Sequence, residues 1–295
     1  MRQGDTENRS AVLELPARAK YRLIDCGMGW KLESFGSKVL ARPSAVSMWR
    51  KKGAESAWKD ADATYIPKKG WEFSKQRFEE WQADFDEIKL TLRLQDNGQI
   101  GVFPEHALYI GRLEEALRST KAKQPKVLNL FAYTGLASLV ALRVGAQVTH
   151  VDLSKKALDW ASSNFRINDI SAGQVRMICE DAVAFAERER RRGKRYDVVI
   201  VDPPSFSRIT KNSYWKLEES LNGLMETCVS LLAGKSSSLV FTCHDPGVSP
   251  EMLRNICADY IGEKGNSSVA GELILPDSHG RGMPSGCYCF ASITY

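Results

Sequence analysis

The feature that most constrains the fold of this 295-residue chain is an alternation of apolar and amphipathic runs between Lys126 and Ile261. Apolar runs of strand length are followed by amphipathic runs of helix length. The run Val198-Val199-Ile200-Val201 is apolar throughout, as a strand covered by helices on both sheet faces requires. Such alternation is typical of parallel sheets. We therefore predict an α/β fold with a doubly wound, Rossmann-like sheet.

Five strand–helix pairs follow one another in this stretch. The predicted strands and the helices after them are 126–130 and 136–143, 147–151 and 154–167, 175–179 and 182–191, 196–201 and 215–232, and 238–243 and 250–261. A last strand is predicted over residues 287–294. The Gly- and Pro-containing segment 281–286 before it is predicted to be a flexible turn that could border a substrate cleft.

The first 104 residues have a different texture. Residues 1–20 are polar and mixed in charge, and we predict a flexible leader there. Residues 21–104 carry short β-like segments and are predicted to form a small, mostly β accessory domain. Within it, a turn at 96–98 would bring residues 100–103 back as a partner strand for residues 88–94. Residues 105–295 would then form the α/β domain.

Composition limits the location and the class of partner. No apolar run approaches the roughly 20 residues of a membrane-spanning helix, and the first 20 residues lack the apolar core of a secretory signal. We therefore expect a cytoplasmic protein with no membrane partner. The formal net charge of +5 is compatible with a polyanionic partner. The seven cysteines are irregularly spaced, with no CxxC pair, so we expect neither disulfides nor a metal site. The sequence leaves the oligomeric state open.

In a doubly wound sheet, ligands bind beyond the carboxyl ends of the strands where the strand order reverses. The first such strand end is Phe131-Ala132-Tyr133-Thr134-Gly135. Gly135 removes the side chain where backbone and ligand must approach, and the helix amides after it can meet the carboxylate of a cofactor. The bulky Phe131 and Tyr133 disfavour a dinucleotide, because they leave less room for a pyrophosphate. An ordinary strand–helix turn would also fit this pattern.

Acids end the next two strands. Asp152, followed by Leu153 and Ser154, is positioned to accept both hydroxyls of a ribose. Asp181, followed by Ala182, could accept the amino group of an adenine. Each acid could instead cap the helix that follows it.

The most specific strand end is Asp202-Pro203-Pro204-Ser205-Phe206, which follows the fully apolar strand. Two prolines fix the backbone just past the strand, and they hold Asp202 at the edge of the sheet. Phe206 is able to stack on a planar ring. A simple loop does not need an acid, two prolines and an aromatic residue together. We predict that Pro203, Pro204 and Phe206 contact the substrate.

Taken in this order, the motifs resemble the class I methyltransferase fold. From about Gln99 onward the chain looks like the bacterial 23S ribosomal RNA methyltransferases of the large-subunit cytosine-C5 type and their relatives. The residues that match are Asn129, Phe131, Tyr133, Thr134 and Gly135 of the first motif and the Asp-Pro-Pro motif at 202–204. The segment 98–105 resembles a cofactor-side segment in one branch of these relatives.

The resemblance implies S-adenosylmethionine as the cofactor and RNA, specifically ribosomal RNA, as the partner. It places the residues 133–135 at the methionine end of the cofactor, Asp152 at the ribose and Asp181 at the adenine. Asp202 would contact the cofactor and face the substrate.

The acceptor atom decides what further chemistry is needed. A ring nitrogen or an amine needs only a group such as Asp202 to hold or deprotonate it. Carbon 5 of cytosine becomes nucleophilic only after a thiolate adds to carbon 6. Cys243 ends the fifth predicted strand, at a position that resembles the Ser-Cys-Ser turn of the cytosine enzymes. We predict that Cys243 is this nucleophile and that Asp202 supports the base at nitrogen 3. His244 could lower the pKa of the thiol, and Cys243 could instead simply fill the end of the sheet.

Several alternatives stay open at this point. His106 and His279 receive no role, and Tyr214 and Trp215 could stack on a base or simply anchor their helix. The substrate could be a small molecule or a protein instead of RNA. A nucleotide-binding oxidoreductase would need a Gly-rich pyrophosphate loop, which the turn at 131–135 lacks. A non-catalytic adaptor that kept the fold would not bind the cofactor.

Overall fold

The computed structural model describes residues 13–16, 18–209, 213–261 and 267–293. Most of the predicted leader, residues 1–12 and 17, therefore lies outside the described residues. Leu13 and Leu15, near its end, pack against the apolar core. No helix in these four ranges is long and apolar enough to cross a membrane.

The N-terminal region is mostly β-structure. Its elements are β1 (Tyr21–Gly27), β2 (Trp30–Phe35), β3 (Lys38–Pro43), α1 (Glu55–Lys59), β4 (Ala63–Ile66), β5 (Gly70–Phe73), β6 (Glu80–Phe85) and β7 (Ile88–Arg93). The strands β1 to β5 form one sheet in chain order, in which only the β3–β4 pair is parallel. β6 and β7 form a separate antiparallel hairpin.

The predicted partner of β7 was wrong, because β7 pairs with β6 and residues 100–103 form no strand. The chain does turn back at 96–98, and the amide of Arg93 donates to the carbonyl of Ile100 at 3.1 Å. The pairing stops at Gly101, which has a φ of 92°. Its carbonyl accepts a hydrogen bond from the Thr134 hydroxyl. The segment therefore leaves the hairpin and joins the end of the large sheet.

The remaining elements follow a short 3₁₀-helix at Pro104–Tyr109. They are α2 (Ile110–Ser119), β8 (Lys126–Leu130), α3 (Leu136–Arg143), β9 (Gln147–Asp152), α4 (Lys155–Ile167), β10 (Val175–Cys179), α5 (Ala182–Arg191), β11 (Val198–Val201), β12 (Phe206–Arg208), β13 (Tyr214–Lys216), α6 (Leu217–Ser230), β14 (Ser237–Cys243), α7 (Pro250–Ile261), β15 (Ser267–Pro276) and β16 (Gly282–Ile293).

Seven of these strands form one sheet in the order β10-β9-β8-β11-β14-β16-β15. The first five are parallel, and β16 and β15 are antiparallel to their neighbours. Helices α2, α3 and α4 pack into one apolar cluster and α5, α6 and α7 into another, and β11 is buried throughout. The predicted doubly wound α/β fold is confirmed. The chain order reverses between β8 and β11, and a ligand site is expected at that point.

The C-terminal hairpin differs from the prediction. β15 was not predicted, and β16 begins at Gly282, so most of the predicted flexible turn at 281–286 is part of a strand. The start of this strand is fixed by Arg281, whose guanidinium lies 2.6 Å from the Asp25 carboxylate and 2.8 Å from that of Asp277. Asp25 and Asp277 are both buried. These ion pairs join the hairpin to β1 of the N-terminal sheet.

Candidate functional site

A cleft of about 260 Å³ opens at the carboxyl ends of the parallel strands, where the strand order reverses. Its walls come from β8, β9, β10, β11 and β14 and from the hairpin β12–β13. The predicted site residues that line it are Phe131, Tyr133, Asp152, Leu153, Asp181, Ala182, Asp202, Pro203 and Pro204. Phe103, Trp215 and His244 also line it. Residues predicted separately at four strand ends therefore share one cavity.

The turn after β8 has an unusual backbone. Phe131 and Tyr133 have φ values of 56° and 48°, which are uncommon for residues with a large side chain. The turn is held by Asp152, whose carboxylate accepts hydrogen bonds from the amides of Tyr133 and Ser154, each at 2.8 Å. Strained backbone that the surroundings hold in place is typical of binding sites. Here it directs two aromatic rings towards the cleft.

Gly135 and Thr134 support this turn rather than line the main cleft. Gly135, at a φ of 98°, directly precedes α3, and a Cβ there would lie 2.9 Å from the Phe165 ring. The Thr134 hydroxyl donates to the carbonyl of Gly101. Both residues border a smaller space, which shares Phe131 and Tyr133 with the cleft.

Two of the predicted site residues, Asp181 and Ser154, cap the helices that follow them. The Asp181 carboxylate accepts a hydrogen bond from the amide of Ala184 at 2.8 Å, so it caps α5 while lining the cleft. Ser154 caps α4 through the amide of Ala157 at 3.2 Å and does not line the cleft. A carboxylate has about four acceptor positions. A capping bond therefore leaves Asp181 able to accept from a ligand.

Asp202 lies at the centre of a group of polar side chains at the end of β11. Its Oδ1 accepts from the Thr242 hydroxyl at 2.8 Å and lies 3.2 Å from Nε2 of His244. Its Oδ2 lies 3.0 Å from Nε2 of His106. The two histidine Nε2 atoms are 3.2 Å apart.

The charges in this group stabilise one another. Burial alone would raise the pKa of Asp202, but the charges and hydrogen bonds of His244 and His106 hold it well below its usual range. Burial would likewise lower the pKa of His244, but the facing carboxylate raises it to about 10. Asp202 is therefore an anion at neutral pH.

The side chain of Cys243 does not reach the cleft. Successive side chains of a strand point to opposite faces. Thr242 and His244 both contact Asp202, so Cys243 between them faces the other way. It is 0% exposed, belongs to an apolar cluster and pairs in register with Cys287 of β16. His244, predicted to lower the pKa of the thiol, contacts Asp202. The pKa of Cys243 is lowered mainly by a hydrogen bond with Cys287, and the charge of His244 acts in the same direction. This placement corrects the predicted site and argues against Cys243 as a nucleophile.

The aromatic residues after the Asp-Pro-Pro motif divide into two groups. Trp215 is buried, donates from Nε1 to the carbonyl of Pro204 at 2.7 Å and lies against the Phe131 ring, with the centroids 5.6 Å apart. Trp215 therefore fixes the proline loop and lines the cleft. Phe206 does not line it; this side chain is 58% exposed and stacks on Tyr214.

Sequence reasoning missed His106, which lies in the 3₁₀-helix at Pro104–Tyr109. The available signal was its position directly after the segment 98–105, whose resemblance to a cofactor-side segment was noted. His279 stays remote from the site, and its backbone amide donates to Asp277 at 2.9 Å.

Comparisons with known proteins show the family to which the chain belongs. The family model of S-adenosylmethionine-dependent methyltransferases matches residues 57–262. A crystal structure of the SAM-dependent methyltransferase from Agrobacterium tumefaciens is 34% identical, with a TM-score of 0.89 over 95% of this chain and 92% of that one.

Curated relatives share a shorter region. The ribosomal RNA large subunit methyltransferase K/L of Syntrophotalea carbinolica is 38% identical over 117 residues, which are 39% of this chain and 15% of the relative. The protein of the same name from Pseudoalteromonas translucida is 33% identical over 160 residues, 54% of this chain and 22% of the relative. The chain thus spans only a small part of the length of these relatives.

The region matched by the family model contains the turn before α3, the acids after β9 and β10, and the Asp-Pro-Pro motif. The structural similarity to the Agrobacterium enzyme covers nearly the whole chain. The chain therefore belongs to the S-adenosylmethionine-dependent methyltransferases, with S-adenosylmethionine as its cofactor.

Proposed function

We propose that this methyltransferase acts on a base of RNA and that ribosomal RNA is its substrate. The observation that carries the proposal is a cleft whose inner end is an anionic Asp202 and whose walls are aromatic. Trp215 and Phe131 line the cleft with their rings against each other, and the stacked Phe206 and Tyr214 stand exposed on the adjoining hairpin. Planar bases bind by stacking on such rings. The names of the curated relatives support RNA as the polymer.

The cofactor occupies the part of the cleft next to β8, β9 and β10 in this proposal. The turn at 133–135 holds the methionine end, Asp152 accepts from the ribose hydroxyls, and Asp181 with Ala182 holds the adenine. The hydrogen bonds that Asp152 accepts from two backbone amides orient its carboxylate before the ligand arrives. Such preorganisation lowers the cost of binding.

The acceptor in this proposal is a nitrogen of the base. Methylation of cytosine carbon 5 needs a thiolate next to the ring. No cysteine lines the cleft among the residues that the structure describes. A nitrogen acceptor needs mainly alignment with the sulfonium methyl group. Asp202 supplies it by accepting a hydrogen bond from the base, and Pro203 and Pro204 hold the loop against which the base lies.

The test is transfer of a labelled methyl group from S-adenosylmethionine into total RNA, protein and small-molecule fractions. We expect label in ribosomal RNA and, after digestion to nucleosides, in a nitrogen-methylated base. Label found only in protein or small molecules would refute RNA as the substrate. A labelled 5-methylcytosine would refute the nitrogen acceptor, and the absence of cofactor binding in calorimetry would indicate an adaptor.

Two further points belong to the same proposal. A cytoplasmic location would place the enzyme with ribosomal RNA. Residues 21–104 would act as an accessory domain to the methyltransferase domain at 105–295, fixed to it through the ion pairs of Arg281.

A further inference from the structure

The side chains of His106, Asp202 and His244 converge on one place at the edge of the cleft, which Asp202 and His244 line, and we call them the His–Asp–His cluster. They come from the 3₁₀-helix, from the end of β11 and from the residue after β14. Each residue offers one nitrogen or oxygen atom to a common point, and these atoms lie within 4.8 Å of one another. Three elements that are distant in sequence therefore present potential metal ligands to one place.

The orientation of His244 matches that of a metal ligand. Its Nδ1 lies 2.9 Å from the carbonyl oxygen of Ser285. A carbonyl only accepts, so Nδ1 carries a hydrogen. A metal ion would bind at Nε2 in place of the proton that the Asp202 carboxylate otherwise stabilises there. This nitrogen faces Asp202 and His106. Metal-binding histidines commonly donate their other N–H to a backbone carbonyl, which fixes the tautomer and the ring.

The spacing also fits a metal ion. Two ligands at about 2.1 Å from an ion are about 3.0 Å apart at right angles and about 3.4 Å apart in a tetrahedron. The two Nε2 atoms are 3.2 Å apart. Nε2 of His106 lies 3.0 Å from Oδ2 of Asp202, and Nε2 of His244 lies 3.2 Å from Oδ1 of the same carboxylate. Thr242 holds the carboxylate through its hydroxyl at 2.8 Å. The ligands are therefore spaced and supported before any ion binds.

We propose that the His–Asp–His cluster binds one divalent transition-metal ion such as Zn²⁺. Two imidazoles and one carboxylate are ligands that such ions favour, and three protein ligands leave coordination positions open. Those positions face the cleft, because Asp202 and His244 line it. With the ion bound, the ion in place of the bare Asp202 carboxylate would contact an oxygen or nitrogen atom of the substrate. This proposal replaces the sequence-based expectation of no metal and does not depend on RNA as the substrate.

The test is metal binding to the full chain, measured without methyl transfer. The chain is stripped with a chelator and titrated with Co²⁺ followed by absorption, and competition with Zn²⁺ gives the affinity for Zn²⁺. We expect one ion per chain and visible bands of a nitrogen- and oxygen-ligated site. His106→Ala and His244→Ala should each weaken Zn²⁺ binding by at least about tenfold. Loss of a group that only hydrogen-bonds to a metal ligand already has an effect of this size, so loss of a ligand itself should have at least as large an effect. His279→Ala is the matched control and should bind as the parent does.

Thermal unfolding of each variant in chelator shows whether it folds. If one histidine variant does not fold, the other carries the comparison, and Asp202→Asn provides a third. A folded parent chain that takes up no ion would overturn the proposal, because hydrogen bonding alone would then explain the cluster. Equal affinity in the parent and the folded histidine variants would overturn it as well. A thiolate-to-metal charge-transfer band would also overturn it, since it would place the ion on cysteine.

Discussion

The two halves of the cleft are built in different ways. The cofactor half consists of the turn at 131–135 and the acids Asp152 and Asp181, each at the end of its own strand. Backbone amides hold this half in place. The acceptor half consists of Asp202 with His106 and His244, which are brought together from distant parts of the chain and held by charge.

The contrast shows which kind of site can be read from local sequence. A turn at a strand end depends on a few adjacent residues, whereas a cluster of side chains depends on how distant elements pack. The same contrast predicts that substitutions in the cofactor half act mainly on stability and cofactor affinity, and those in the acceptor half mainly on rate.

The largest effect is expected from Asp202→Asn. The substitution removes the anion that faces both histidines, and the amide cannot replace its charge. We expect the rate of methyl transfer to fall by about 10²- to 10⁴-fold, and cofactor affinity to change by less than about tenfold. Single-turnover rates and calorimetry measure the two quantities. The exposed Asp159, which pairs with Lys155 on α4, provides the control variant Asp159→Asn. Equal losses of rate and affinity would contradict the division into two halves.

The next effect is a pH dependence of stability from His150, which lies beneath the cofactor turn. It is fully buried, with Nδ1 2.9 Å from the Ser138 hydroxyl and its ring edge-on to Phe165. Burial lowers the pKa of His150 to about 4. Below its ordinary pKa of about 6.5 the unfolded chain takes up a proton that the fold rejects, so stability falls as pH decreases from about 6.5 to about 4.

The loss attributable to His150 should be on the order of 3 kcal/mol. Urea unfolding at several pH values, compared between the parent and His150→Gln, measures it. The variant should show a flatter dependence over this window. Parallel curves for the two proteins would mean that His150 titrates normally in the fold.

A third prediction separates backbone strain at a positive φ from the steric clash of a Cβ with the Phe165 ring at the cofactor turn. Gly135→Ala places a Cβ 2.9 Å from the Phe165 ring at a φ of 98°, whereas Gly145→Ala meets nothing within 4 Å at a φ of 87°. We expect Gly145→Ala to cost about 1 kcal/mol of unfolding free energy and Gly135→Ala about 1–3 kcal/mol more. Cofactor affinity should fall only in Gly135→Ala. If both variants lost affinity alike, the contact with Phe165 would be irrelevant to binding.

The smallest effect is expected at Cys243. Since its side chain is buried on the opposite face of β14 from Asp202, Cys243→Ala should keep the rate of methyl transfer within about threefold and lower stability by about 1 kcal/mol. Cys287→Ala, which alters the paired residue, should behave alike. A loss of rate confined to Cys243→Ala and far above threefold would restore the covalent mechanism.

Much of the fold could be predicted because its signals are local. The run at 198–201 is apolar on both faces, and the structure places it in the middle of the sheet. The helix predicted at 215–232 begins at Leu217 instead, since Trp215 pairs in a hairpin and donates to the carbonyl of Pro204. That bond joins residues 11 positions apart, and no local pattern reveals it.

The remainder could not be predicted, because it depends on pairing between distant segments. β15 contains Gly271 and an irregularity between Glu272 and Ile274, so its alternation is broken. His106 directly follows the segment 98–105, but its position near Asp202 follows only from how the 3₁₀-helix packs. For Cys243 the strand was predicted correctly, but the face was not. The contact of Thr242 with Asp202 decides that face.

The ion pairs of Arg281 have a mechanical consequence. Arg281 immediately precedes β16, and Ser285, four residues further on, holds the His244 ring through its carbonyl oxygen. At the other side of Arg281, Asp25 is anchored by the Trp58 indole and by loop amides of the N-terminal region. A displacement of that region would be transmitted along one short stretch of strand to an imidazole in the cleft. The placement of the His244 ring therefore depends on anchoring contacts in a different sheet of the molecule.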